Sequence, residues 1–192
     1  KKDAQELHAL HIKNLSKSYG DRQLFTHLNL DVQAGQKVLI KGPSGCGKST
    51  LFRLITGEEI ADEGEIIGVT TVNESTSSFV SSIGIISQHP FLFNDTVRYN
   101  LTLGQEFSEE ELLAVLKQVK LDFELTGGLD FIIKNNGENI SGGQRVRIEL
   151  ARFLLRRKNL LLADEVTATL DKENALMVHE LLFSLPVMML EI

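Results

Sequence analysis

The sequence predicts an α/β fold built on a parallel sheet, with a small N-terminal antiparallel β-subdomain before it and an α-helical insertion inside it. Three observations carry this. Residues 37–40, 83–87, 160–163 and 187–190 are short apolar runs of the kind found in strands buried on both faces. Segments with apolar residues at helical spacing lie between them, the alternation that marks a parallel sheet. Nearer the N-terminus, residues 10–19 and 28–32 alternate apolar with polar, as strands do when one face meets solvent.

Taken in order, residues 10–19 and 28–32 form the antiparallel pair, and 37–40 is the first buried strand, ending in a glycine-rich segment. A helix follows, with Leu51, Leu54 and Ile55 on one face. Residues 62–82, polar and rich in Gly, Ser and Thr, read as loop and short edge strands. After the strand at 83–87, a helix is expected over 108–119. Ser108 caps it, Glu111 completes a capping box, and Leu112, Leu113, Val115, Leu116 and Val119 form its apolar face. Ser141 caps another helix, with Val146, Leu150, Phe153 and Leu154 facing inward. Asp171 caps a last one running to about Phe183. One domain is expected over 1–192, with a core at about 1–90 and 156–192 and the helical insertion at about 91–155.

The bulk numbers exclude some functions. Lys and Arg total 20 against 26 Asp and Glu, a net charge of −6, so there is no basic footprint and no nucleic-acid partner is expected. A single cysteine, Cys46, allows no internal disulfide. Lys1-Lys2-Asp3 is followed by no apolar stretch, so no signal peptide is expected. No run approaches the roughly 18 apolar residues of a membrane span. A membrane role would act through a partner or through segments outside these residues.

Residues 42–49 read Gly-Pro-Ser-Gly-Cys-Gly-Lys-Ser, a full G-x-x-x-x-G-K-S match between a strand and a helix. Glycines let successive N–H groups converge on phosphate oxygens, and the helix N-terminus adds partial positive charge. Gly42, Ser44, Gly45, Cys46, Gly47 and Thr50 are expected to line this cradle. Lys48 reaches the β- and γ-phosphates, and the Ser49 hydroxyl ligates Mg²⁺. Cys46 serves as a small loop residue whose thiol would make the site sensitive to alkylation. The strand at 160–163 ends in Asp164 and Glu165, and strand carboxyl ends line the ligand crevice of such sheets. Asp164 is expected at Mg²⁺, and Glu165 beside it is placed to polarise an attacking water.

Together with Asn139-Ile140-Ser141-Gly142-Gly143-Gln144, these residues resemble the ATP-binding cassette (ABC) family, whose signature motif usually carries Leu at position 140. The resemblance spans essentially the whole chain and implies a P-loop (RecA-like) core that binds ATP and Mg²⁺. It also implies a head-to-tail dimer with a second nucleotide-binding domain, same or different, in which Ser141, Gly143 and Gln144 of one subunit close on the γ-phosphate held by the other. Tyr19 matches the aromatic that stacks on adenine. Gln88 matches the glutamine that contacts Mg²⁺ and the attacking water at the hinge to the helical lobe. Leu170-Asp171 matches the loop that crosses the dimer interface, although Thr167-Ala168-Thr169 departs from the usual Ser-Ala.

Residues 88–101 are similar to the exporter branch, as are Asn136-Gly137-Glu138-Asn139. This implies transmembrane domains, fused or separate, placing the module on the cytoplasmic face of a membrane. Glu138 would be a coupling contact, and the groove near Phe91–Phe93 would receive a coupling helix. The family's switch histidine follows the strand that here is 187–192, and His179 lies too early, on a helix, to replace it. Weak turnover with retained nucleotide binding is the expectation. Two other readings stay open: a soluble cassette ATPase of DNA repair or translation, disfavoured by the absence of long coiled-coil, zinc or basic insertions, and a non-hydrolysing clamp, disfavoured by Glu165.

Overall fold

The computed structural model describes residues 6–70, 74–75, 78–87 and 89–192. In chain order these form β1 (Leu7–Tyr19), β2 (Arg22–Gln33), β3 (Lys37–Leu39), α1 (Lys48–Thr56), β4 (Glu63–Thr70), β5 (Glu74–Ser75), β6 (Ile83–Ser87), α2 (Val97–Thr102), α3 (Glu109–Gln118), α4 (Gly142–Leu155), β7 (Leu160–Asp164), α5 (Lys172–Ser184) and β8 (Met188–Glu191). The chain divides into two compact units. One comprises Lys1–Gly84, Lys158–Asp164 and Pro186–Ile192; the other comprises Ile85–Arg157 and Glu165–Leu185.

The described strands form two sheets. The antiparallel one runs β2-β1-β4-β5 and the other β3-β8-β7-β6, with β8 parallel to both β3 and β7. Leu10, Ile12, Leu15 and Val32 from the first sheet join Leu160, Leu162, Leu190, Phe52 and Ile55 in one buried cluster. β7 and β8 match the buried apolar runs at 160–163 and 187–190, because parallel strands covered on both faces select continuous aliphatic stretches. β3 forms where the run at 37–40 predicts a strand but is not buried as expected: Lys37 and Val38 are half-buried and Leu39 is 52% exposed.

The segment read as loop and short edge strands holds the short edge strand β5 and a longer, eight-residue strand, β4, paired along β1. Its two glycines hid it from pattern reading, and both are packing requirements. A Cβ at Gly64 (φ +84) would lie 2.4 Å from the carbonyl oxygens of Lys13 and Asn14, and one at Gly68 would lie 2.4 Å from Cγ of the buried Phe79.

In the second unit, α3 has the capping box the sequence predicts: Glu111 N donates to Ser108 Oγ (3.2 Å) and Ser108 N to Glu111 Oε2 (2.9 Å). Leu112, Val115, Leu116 and Val119 are buried, but Leu113 is half exposed and does not belong to the apolar face. The short α2, absent from the sequence reading, is capped by Thr96, whose Oγ1 accepts from Tyr99 N at 3.0 Å. Asp171 caps α5 by accepting from the amides of Glu173 and Asn174.

Candidate functional site

The strand register decides what emerges together from the sheet of the first unit. Glu191 on β8 pairs with Leu39 on one side and Ala163 on the other. The residues that follow these partners, Ile40 and Asp164, therefore leave the sheet at the same level and the same carboxyl edge. Residue 40 opens the glycine-rich loop, so this loop and the half-buried Asp164 share the edge where α/β sheets bind ligands. Glu165 comes next. It is exposed and adopts φ 48, a left-handed conformation costly for a residue with a Cβ and frequent at functional turns.

The loop is shaped by contacts that only small residues permit. Gly47, the N-cap of α1, has φ 104, and a Cβ there would sit 2.9 Å from the Phe25 ring and 3.2 Å from Leu24. A Cβ on Gly42 would meet Cys46 Sγ at 2.6 Å. Cys46 N donates to Pro43 O (3.2 Å), and Arg22 reaches across to donate to Gly45 O. Lys48 Nζ donates to Gly42 O (2.9 Å) and Pro43 O (3.1 Å) and lies 4.0 Å from Cys46 Sγ. Its charge is thus held over the loop by neutral carbonyls rather than spent on a carboxylate. Ser49 is exposed, while Thr50 is buried and hydrogen-bonded to Arg53 (3.3 Å). The first turn of α1 carries no acid, which leaves its positive end free for an anion. Gly42, Pro43, Cys46 and Lys48 form one wall of a cavity of about 500 Å³ whose other walls are apolar, among them Leu24, Phe25, Val38 and Ile40.

Tyr19 lies at the end of β1, exposed, with its hydroxyl on Glu59 and Lys17 Nζ 5.2 Å from the ring centroid. Gln88 lies outside the described residues.

In the second unit, Ser141 and Gln144 form a complete capping box at the start of α4. Gln144 N donates to Ser141 Oγ (3.1 Å) and Ser141 N to Gln144 Oε1 (2.9 Å). This first turn too has no acid, so α4 presents a second free positive helix end, with Ser141 and Gly142 exposed. Both glycines are tightly placed. A Cβ on Gly142 would meet Leu170 at 2.7 Å, and one on Gly143 would meet Asn174 Oδ1 at 2.6 Å. Asn174 is itself fixed by Asp171 (2.6 Å), whose carboxyl is held below its ordinary range by the hydrogen bonds from Asn174. Hence the loop of Leu170 and Asp171 buttresses the motif within one chain.

The exporter-like segments also meet. Leu92 N donates to Asn136 Oδ1 (2.7 Å) and Asn136 N to Asn94 Oδ1 (3.1 Å). Glu138 accepts from Asn135 (3.0 Å). Phe91 and Phe93, both exposed, make an edge-to-face pair at 5.0 Å. They line a groove of about 300 Å³ with Ile85, Pro90, Glu149 and Arg152. Arg152 fixes that groove, donating to Phe91 O (2.8 Å), Asn100 O (2.5 Å) and Asn100 Oδ1 (3.0 Å) and pairing with Glu149 (2.7 Å). The sequence reading missed Arg152, Arg147 and Glu124, and it met Asn100 only as part of the exporter-like run 88–101. The available signal was two arginines, 147 and 152, inside the otherwise apolar inward face of α4. His179 stacks on Phe183 and lies 3.4 Å from Thr167 Oγ1.

A glycine-rich loop joining a parallel strand to a helix, beside an aspartate at the same sheet edge, defines a nucleotide-binding domain of the phosphate-loop class. A family model described as "ABC transporter" matches residues 25–168, and the chain belongs to that family. It is 40% identical over 181 residues to the ATP-dependent lipid A-core flippase of Francisella tularensis subsp. holarctica (strain OSU18), covering 91% of this chain and 30% of the flippase. Against the uncharacterized ABC transporter ATP-binding protein YwjA of Bacillus subtilis (strain 168) it is 36% identical over 177 residues, 88% of this chain and 31% of that protein. The chain therefore spans about a third of the length of such relatives. Among solved structures it resembles a bacterial Atm1-family ABC exporter with ATP bound, at TM-score 0.79 and 28% identity, covering 97% of this chain and 35% of the exporter chain. Among the described residues, no helix is long and apolar enough to cross a membrane.

Proposed function

We propose that this chain is the ATP-hydrolysing module of an exporter, working on the cytoplasmic face of a membrane through transmembrane domains, fused or separate. The observation that carries the reading is a pair of acid-free helix N-termini. That of α1 is wrapped by the phosphate loop, and that of α4 is capped by Ser141 and Gln144. Each is built to hold phosphate, yet one triphosphate needs only one loop. Two copies, or this chain and a related one, arranged head to tail give each MgATP a loop on one side and an α4 end on the other.

In this arrangement Lys48 neutralises the β- and γ-phosphates, backbone amides between Ser44 and Thr50 cradle them, and Tyr19 stacks on adenine. Ser141, Gly143 and Gln144 of the opposite subunit add donors where charge gathers as the γ-phosphoryl departs. Phosphoryl transfer to water depends mainly on such positioning and charge stabilisation. Glu165 orients the water and receives its proton, and its exposed position after β7 leaves the carboxylate free to do so.

The residues present fit Mg²⁺: the exposed Ser49 hydroxyl and Asp164 are hard oxygen ligands, with Gln88 a third. No denser cluster of His, Cys, Asp or Glu exists among the described residues, as suits an ion held largely by phosphate and water. When bound, Mg²⁺ would supply charge neutralisation between the phosphates. The groove of Phe91 and Phe93, tied to the Asn136–Glu138 segment, is suited to receive a coupling helix of the membrane domains.

The test is Glu165→Gln. The variant should bind ATP as the unmodified chain does, lose turnover, and persist as an ATP-bound dimer in sedimentation. Unchanged turnover and dimer lifetime would contradict the assignment of Glu165 and favour a non-hydrolysing clamp.

A further inference from the structure

One ion pair, Arg147 with Glu124, lies behind the α4 end and is used by none of the steps above. Arg147, one turn into α4, is 1% exposed. Its guanidinium donates to both oxygens of Glu124 (2.8 and 2.7 Å), to Lys120 O (2.7 Å) and to Gly143 O (3.2 Å). The same Glu124 accepts from Gln144 Nε2 at 3.1 Å, while Gln144 Oε1 accepts from Ser141 N. One carboxylate therefore holds the far end of the capping glutamine and the arginine that grips the carbonyl of Gly143.

The geometry points to Glu124 as the positioning residue of the ATP-facing turn of α4, acting through Gln144 and Arg147. Three features support it. A glutamine side chain that only caps its helix keeps its amide nitrogen free to rotate, and here that nitrogen is anchored. A buried arginine without its carboxylate would be an uncompensated charge driven to seek other partners, loosening its hold on Lys120 O and Gly143 O. Gly143, pressed against Asn174 on one side, is held by Arg147 on the other, so its amide has little freedom to drift. The cluster belongs to the second unit and the phosphate loop to the first, so it should govern closure of the dimer and not capture of ATP by the monomer.

This rests on the head-to-tail reading, and the test separates the two. In the Glu165→Gln background, Glu124→Gln removes the charge and keeps the shape. Nucleotide affinity of the monomer should stay within about twofold, whereas the MgATP-driven dimer should weaken by roughly tenfold or more, the scale of losing a charge-assisted hydrogen-bond pair. Global destabilisation would lower both together. Amide hydrogen exchange over residues 141–147 in the nucleotide-free chain gives a second readout that needs no dimer, and it should rise in Glu124→Gln. Should that variant not unfold cooperatively, Glu124→Asp keeps the charge at shorter reach and should show an intermediate weakening.

Unchanged exchange overturns the positioning role whatever the dimer does. Raised exchange with an unweakened dimer overturns its bearing on closure. If the Glu165→Gln chain itself never dimerises in MgATP, the head-to-tail reading falls, while exchange still judges Glu124.

Discussion

Arg152→Met probes what holds the groove of Phe91 and Phe93 in shape. The Arg152 side chain is 9% exposed and serves Asn100 O, Asn100 Oδ1, Phe91 O and the Glu149 carboxylate. Methionine fills most of the same volume but offers no donor. Asn100 Oδ1 keeps a second partner, Phe93 N at 2.8 Å, so its loss is small. The two backbone carbonyls lose a charged donor, each such bond being worth about 1.5–3 kcal/mol, and Glu149 loses its ion-pair partner. Against this stand the desolvation of the guanidinium, no longer required, and about 1–2 kcal/mol from burying the thioether chain. The net loss expected is about 3 kcal/mol. With a urea dependence of about 1–3 kcal/mol/M, the unfolding midpoint should fall by roughly 1–3 M, read by far-UV circular dichroism. Arg152→Lys should recover little, since an ammonium cannot serve diverging acceptors as a planar fork does. A loss below about 1 kcal/mol for Arg152→Met would refute the view that this network fixes the groove.

Two further outcomes are expected. Gly68→Ala places a Cβ 2.4–2.5 Å from three atoms of the buried Phe79, so it should cost at least about 1–3 kcal/mol in urea unfolding, with partial recovery on adding Phe79→Leu. Glu124 is held below its ordinary value of 4.5, chiefly by the hydrogen bond from Arg147 and then by that from Gln144, against an opposing effect of burial. A carboxyl depressed in the folded state stabilises it above the unfolded pKa, and that contribution disappears as pH falls through the folded value. The stability gap between the unmodified chain and Glu124→Gln should therefore be constant above pH 4.5 and shrink below it, as urea titrations at several pH values will show.

What the sequence revealed, and what it concealed, follows the range of the interactions. The phosphate loop is one contiguous string of eight residues, and the two capping boxes at Ser108 and Ser141 and the cap at Asp171 are closed within four residues, so the local string suffices to read them. The apolar runs 160–163 and 187–190 are legible because burial on both faces leaves no polar residue to interrupt them. β4 was hidden because its glycines answer to Lys13, Asn14 and Phe79, contacts that no local pattern contains. Glu124 and Arg147 are 23 residues apart, and only folding shows that they serve one helix end. Leu113 misled because it neighbours Leu112 in sequence, yet a one-residue step turns the helix by about 100° and carries it off the apolar face.

The central claim is that one ATP is shared between the loop of one subunit and the α4 end of another. Mixing two disabled chains tests it most directly, both in the Glu165→Gln background. Lys48→Ala should lose nucleotide binding but keep its α4 end, whereas Ser141→Arg should bind ATP but block that end. Sedimentation in MgATP should find each variant monomeric alone and the mixture dimeric, with one nucleotide per pair. If each variant dimerises alone as the Glu165→Gln chain does, or if the mixture stays monomeric although that chain dimerises, the shared site does not exist.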